Sequence, residues 1–217
     1  RNNKMIAKEI NSAIEKLNFK DFIIFNDNDI FRSFNLKELI KPEKYIYYIR
    51  DYIIAVDYWK HHGVKMESEL ITKSDAVCTN STYLANYAKE FNDNSNYVGQ
   101  GCDLSSFDPE NVKNNIEDIP KNNKPIIGYV GSLNSLRLDI EVIKYISDSK
   151  PEWNVVLVGP EDEAFQKSDL HDKKNIYFLG NKNSDELSSY INKFDICINP
   201  QILNEVTIGN YPRKIDE

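Results

Sequence analysis

At 217 residues the chain is long enough for one large domain or two small ones, a domain holding about 100–200 residues. Hydrophobic residues make up 41% of it and charged residues 28%, which supports a packed core and excludes a disordered chain. The net charge of -7, from 27 Lys and Arg against 34 Asp and Glu, excludes a general nucleic-acid binder, which needs a basic face to neutralise phosphates. Cys78, Cys102 and Cys197 are odd in number, widely spaced and without a C-x-x-C pairing. Neither a disulfide framework nor a zinc site is expected, and a reducing compartment is. No run of about 18 apolar residues is present, and the start at Arg1 has neither Met nor a signal peptide, so the chain is expected to begin inside a longer protein.

Met5, Ile6, Ile10, Ile14 and Leu17 recur at helical spacing among charges and predict an amphipathic helix. Two apolar runs follow, Phe22 to Phe25 and Tyr45 to Ile49, with a short helical stretch around Leu36 to Ile40 between them. Runs that are continuous rather than alternating predict parallel strands buried on both faces. A helix is expected from Val64 to Lys73, a strand at Ala76 to Thr79, a helix capped by Asn80-Ser81-Thr82 and a strand at Tyr97-Val98. Between Asp103 and Lys124 the composition turns to Asp, Asn, Lys and Pro, which marks a domain boundary. Beyond it, strands at 125–130, 155–158, 176–180 and 194–198 alternate with helices carrying Leu138, Val142 and Ile146, and spanning Asp185 to Ile191. That rhythm predicts a second doubly wound domain.

Gly131 closes a strand, and Arg137 stands six residues later near the next helix. A glycine lets the backbone approach a phosphate, and a helix N-terminus and a guanidinium both favour its charge. The same glycine also fits an ordinary turn, and neither G-x-G-x-x-G nor G-x-x-x-x-G-K-[ST] is present. In the last stretch, Pro212 sits where a helix is expected to start, followed by Arg213 and Lys214. Adjacent helical residues point about 100 degrees apart, so one of the pair faces a given ligand. Lys214 and Glu217 share a face, which fits a surface ion pair as well as a lysine on a phosphate and a carboxylate on sugar hydroxyls. His61-His62 lacks any metal-ligand spacing, so metal binding is not expected there. Tyr45, Tyr47, Tyr48, Tyr52, Tyr58 and Trp59 read as core and interface, and no G-x-S-x-G elbow is present.

The order from Gly131-Ser132-Leu133 through 153–160, 175–180 and 190–198 to Pro212-Arg213-Lys214-Ile215-Asp216-Glu217 resembles the donor half of a family-4 type retaining glycosyltransferase, of the group-1 glycosyl transferases. The likeness covers residues 125–217 and extends more weakly back to 74–81 and 99–103. It implies an α/β protein of the GT-B fold, two Rossmann-like doubly wound parallel-sheet domains, both partial. Residues 1–106 would be the end of the acceptor-side domain, 107–124 a linker and 125–217 a truncated domain for the donor. The implied activity is hexosyl transfer with retention, from a nucleotide-diphosphate sugar to a glycan or lipid-linked acceptor, in bacterial polysaccharide or glycoconjugate synthesis. No metal or other cofactor is implied, and no nucleic-acid partner. The implied place is the cytoplasm, or the inner face of the membrane through a peripheral contact. By position, Arg137 and Lys214 would be the cations on the diphosphate, with Arg213 beside them, and Gly131 and Ser132 would approach it through their backbone. Gly180 and Asn181 would lie by the base, Glu217 on the ribose hydroxyls, Glu205 toward the sugar or phosphate, and Asp51 at the transferred sugar. Ser132 stands where relatives carry a basic residue, and Glu205 and Glu217 are twelve apart, a wider spacing than the family's pair. A non-catalytic sugar-nucleotide-binding or scaffold protein of the same fold, and a sugar-nucleotide epimerase, are the alternatives.

Overall fold

The computed structural model describes residues 2–101, 104–107, 112 and 116–215. They form two compact units, Arg1–Gln100 with Asn204–Tyr211, and Gly101–Leu203 with Pro212–Glu217. Each unit holds one four-stranded parallel sheet.

In the first unit β1 (Ile23–Asp27), β2 (Lys44–Ile49), β3 (Ala76–Thr79) and β4 (Ser95–Tyr97) lie in the order β1-β2-β3-β4. They alternate with α1 (Asn2–Leu17) before β1, then α2 (Leu36–Ile40), α3 (Asp57–Lys73) and α4 (Thr82–Lys89). Right-handed crossovers that keep stepping in one direction place every crossover helix on the same face of the sheet. The burial follows. Tyr45, Tyr47 and Ile49 are fully buried with Leu70, Ile71, Val77 and Leu84 in one core. On the other face Ile23 and Phe25 are exposed, and Phe25 packs its ring beside Tyr48 at 5.5 Å. The apolar runs therefore do not mark two buried faces here, because among the described residues only one face carries helices. Within α1, Ile6 and Ile10 pack on this core while Met5 and Leu17 are exposed, so its apolar stripe is narrower than its spacing predicts. The helix α3 starts seven residues before the expected Val64. His61, His62 and Gly63 have low helix propensity, and the turn Ile53–Ala55 packed beneath them is what continues the helix toward its N-terminus.

The second unit reverses direction. Its β5 (Ile126–Val130), β6 (Asn154–Val158), β7 (Ile176–Gly180) and β8 (Ile196–Cys197) take the order β7-β6-β5-β8. The chain steps from β5 to β6 to β7 through α5 (Ile140–Ser149) and α6 (Glu163–Gln166), then returns through α7 (Leu187–Ile191) to the far side of β5. Reversal sends α7 to the opposite face, and two cores result. Tyr129, Val155, Leu157 and Ile176 face Ile143 and Phe165, while Ile126, Val156 and Val158 face Tyr190. All five residues of β6 are buried, as a continuous apolar run demands. The expected stripe of α5 is shifted. Asp139 caps the helix, accepting from the N–H groups of Glu141 and Val142, so Leu138 precedes it in a bridge to Gln201, Val142 is exposed and Ile143 enters the core. Pro212 leads into a single 3₁₀ turn, Arg213–Ile215, rather than an α-helix within the described residues.

Candidate functional site

Where a parallel sheet reverses its winding, the loops beyond the carboxyl ends of the two central strands part and leave a crevice. In the second unit that point is the end of β5, between β6 and β8. Gly131, the first residue past β5, donates its N–H to the Val158 carbonyl at 2.8 Å, and Gly159 past β6 donates to the Gly180 carbonyl at 2.9 Å. The loop ends of β5, β6 and β7 are thus tied laterally. Gly131 and Gly159 hold φ of +144° and +145°, outside the range of residues with a side chain. A Cβ on Gly159 would stand 2.0 Å from the Gly131 carbonyl oxygen, so the two backbones approach as only glycines allow.

Lys214 occupies the space that Gly131 leaves open. Its Nζ lies 3.1 Å from where a Gly131 Cβ would be, donates to the Tyr129 hydroxyl at 3.2 Å and sits 4.8 Å over the Tyr129 ring. Tyr129 is buried, and its hydroxyl in turn donates to the Ser132 carbonyl at 3.2 Å. Burial pushes the Tyr129 hydroxyl up to about 12, against a pull downward by the charge of Arg137. Arg137 is exposed at the end of the loop that begins at Gly131. That loop is pinned by Asp162, whose carboxylate accepts from the N–H and the hydroxyl of Ser135, both at 2.7 Å. Burial alone would raise Asp162, but these bonds and those from the first turn of α6 hold it below the usual carboxylate range. Beside Lys214 lies a cavity of about 320 Å³, lined by Gly128, Val130, Phe194, Cys197, Asn199 and Lys214.

Of the residues singled out in the sequence, the structure thus gathers Gly131, Ser132, Arg137 and Lys214 at one strand end. Gly131 spends its N–H on the sheet, while the Ser132 N–H has no partner among the described residues. Gly180 ends β7, two strands from β5, with the exposed Asn181 after it. The backbone of Arg213 lies in the 3₁₀ turn, with its side chain outside the description, and Glu217 lies outside the described residues. Glu205 and Asp51 belong to the first unit. Glu205 sits in the turn 204–208, where the Asn204 side chain accepts from the N–H groups of Val206 and Thr207, and its exposed carboxylate is 3.6 Å from Lys60. That segment stays on the first unit because the Ser81 hydroxyl donates to the Gly209 carbonyl at 2.8 Å and Gly209 packs closely on Leu84. Asp51 follows β2, and its carbonyl accepts from the Asn28 amide at 3.5 Å. His61 and His62 meet edge to face, and His171 pairs with Glu161 at 2.8 Å. Among the described residues no group of His, Cys, Asp and Glu could hold a metal ion, and no helix is long and apolar enough to cross a membrane.

Tyr129 is a site residue that carries no motif in the sequence. Its signal was a tyrosine inside an otherwise aliphatic strand, since a buried hydroxyl needs a partner.

No protein-family profile and no curated protein sequence matches this chain. Solved structures do. The Anabaena protein Alr3699/HepE, solved with UDP, with UDP and glucose and with UDP-glucose, aligns in the UDP and glucose complex with a TM-score of 0.70 at 14% identity, over 90% of this chain and 56% of that one. The chain has the GT-B fold. A glycosyltransferase of Rickettsia africae aligns with a TM-score of 0.63 at 19% identity, over 93% of this chain and 55% of that one. A Listeria monocytogenes protein taken for a UDP-N-acetylglucosamine 2-epimerase aligns with a TM-score of 0.55 at 12% identity, over 90% and 56%. At such identities the likeness is one of fold, and this chain spans just over half the length of these proteins.

Proposed function

We propose that this chain is part of a glycosyltransferase that takes a hexosyl group from a nucleotide-diphosphate sugar and passes it, with retention, to a glycan or lipid-linked acceptor. The observation that carries this reading is the Lys214 ammonium set against Gly131 at the reversal point of the second sheet. A diphosphate placed there meets Lys214, the Ser132 N–H and the guanidinium of Arg137. As the sugar C1–O bond breaks, the electron pair leaves with the β-phosphate. Fixed cations that meet this growing charge lower the barrier without having to reorganise. The acceptor oxygen forms the new bond on the same face, and its proton passes to the departing phosphate. Cations supplied by the protein take over the charge neutralisation that a metal would otherwise provide, so transfer without a metal is part of the proposal. Asp51 and Glu205 are kept as contacts to the sugar and Gly180 and Asn181 as neighbours of the base. A bacterial polysaccharide or glycoconjugate setting, at the inner membrane face, is part of the proposal.

The test is calorimetric titration of the full natural protein with UDP, GDP and ADP, with and without EDTA. UDP is expected to bind, in view of the HepE complexes, and to bind equally in EDTA. Silence from all three diphosphates would overturn the proposal in favour of a scaffold that kept the fold. The likeness to the Listeria protein favours an epimerase as the second reading; C2 epimerisation of a UDP-sugar without any acceptor would establish it.

A further inference from the structure

Lys214 is a flexible side chain asked to hold one position, and the fold supplies a device for this that lies outside the strand-end residues. We infer that Tyr129 is the positioning residue of the site: its hydroxyl bridges the Ser132 carbonyl to the Lys214 ammonium and so sets the cation for the diphosphate of the nucleotide sugar, an inference that rests on the function proposed above. The geometry is complete on both sides of the hydroxyl. Its single proton goes to the Ser132 carbonyl at 3.2 Å, and its lone pairs accept from Lys214 Nζ at 3.2 Å. The ring lies under the same ammonium at 4.8 Å, adding a cation–π attraction. Tyr129 cannot move to follow a wandering lysine, because it is 3% exposed and its ring is locked in the core with Val155 and Leu157. The bridge therefore transmits the rigidity of the sheet to a long, rotamer-rich side chain. It also couples Lys214 to the loop that carries Ser132, so that the cation and the Ser132 N–H keep one spacing. Glycine at 131 is part of the same device, since a Cβ there would stand 2.9 Å from the Tyr129 hydroxyl and 3.1 Å from Lys214 Nζ.

A double-mutant cycle on UDP affinity separates positioning from mere structure, because residues that act through each other are not additive. The variants are Tyr129→Phe, which keeps the ring, Lys214→Met and the pair, each made in the full natural protein and read by calorimetry. Tyr129→Phe is expected to weaken UDP binding roughly five- to tenfold in the native background, the net cost of one ordinary hydrogen bond, and to change nothing once Lys214 is Met. Equal weakening in both backgrounds, no weakening in the native one, or loss of the fold on removal of this one oxygen would overturn the inference. If Lys214→Met alone bound UDP like the native protein, the nucleotide-sugar function would fall, and the inference with it.

Discussion

Lys214 and Glu67 are two ionisable side chains that the fold treats in opposite ways. Lys214 is half-buried at a strand end with its ammonium held by Tyr129, and its replacement by Met is expected to cost about 1.5–3 kcal/mol of UDP binding, typical of a charge-assisted bond lost. Calorimetric titration of the variant checks this. Glu67, on α3, is fully buried and accepts from the hydroxyls of Tyr47 at 2.8 Å and Tyr87 at 3.2 Å. Burial raises its carboxyl from the ordinary 4.5 to about 7, although the two tyrosines pull it down. The folded state thus holds a proton that the unfolded chain releases above about 4.5. Stability from this group is full below that pH and is lost as the pH rises through about 7. Glu67→Gln keeps an acceptor for the tyrosines and removes the titration. Urea unfolding at pH 5 and pH 8 should show the native protein losing stability across this range, on the order of 3 kcal/mol more than the variant does. Equal pH dependence in the two proteins would mean that Glu67 is ionised in the fold.

At the scale of elements, the carboxyl ends of β5 and β6 are tightly constrained backbone. A methyl on Gly159 meets the Gly131 carbonyl at 2.0 Å, which is backbone and cannot swing away. Gly159→Ala should therefore cost about 2–4 kcal/mol, the sum of a strained φ and a displaced strand end. Chemical denaturation of the variant measures it. Because the displaced strand end carries Gly131, UDP affinity should fall together with stability. The elements that periodicity misplaced have two different causes. Leu138 and Val142 lie at helical spacing in the sequence, yet the Asp139 cap starts α5 after Leu138 and turns the stripe toward Ile143. In α3, packing against the Ile53–Ala55 turn carries the helix through residues of poor propensity.

For the molecule as a whole, the two sheets differ in a way that bears on where chemistry can occur. The first winds in one direction and the second reverses at β5, so the second alone has a switch point among the described residues, and the cationic cluster stands there. If the diphosphate is bound by Lys214, Arg137 and the Ser132 N–H, UDP affinity should be the same in EDTA as in magnesium and should fall as ionic strength rises, since much of it is charge attraction. A requirement for divalent metal in that titration would replace the proposed cation set.

The sequence by itself determined the α/β alternation, the two parallel sheets and the position of most strands, because buried parallel strands are written as local apolar runs. It also marked Gly131 and Lys214 individually, through residue types that strand ends and phosphates require. Only the tertiary structure decided that Lys214 reaches Gly131 from 83 positions away, that Tyr129 bridges Lys214 to the Ser132 carbonyl, and that Glu205 pairs with Lys60 on the first unit. These are contacts between residues distant in the chain. They follow from strand order and from the path of the connecting segments, which local periodicity does not encode.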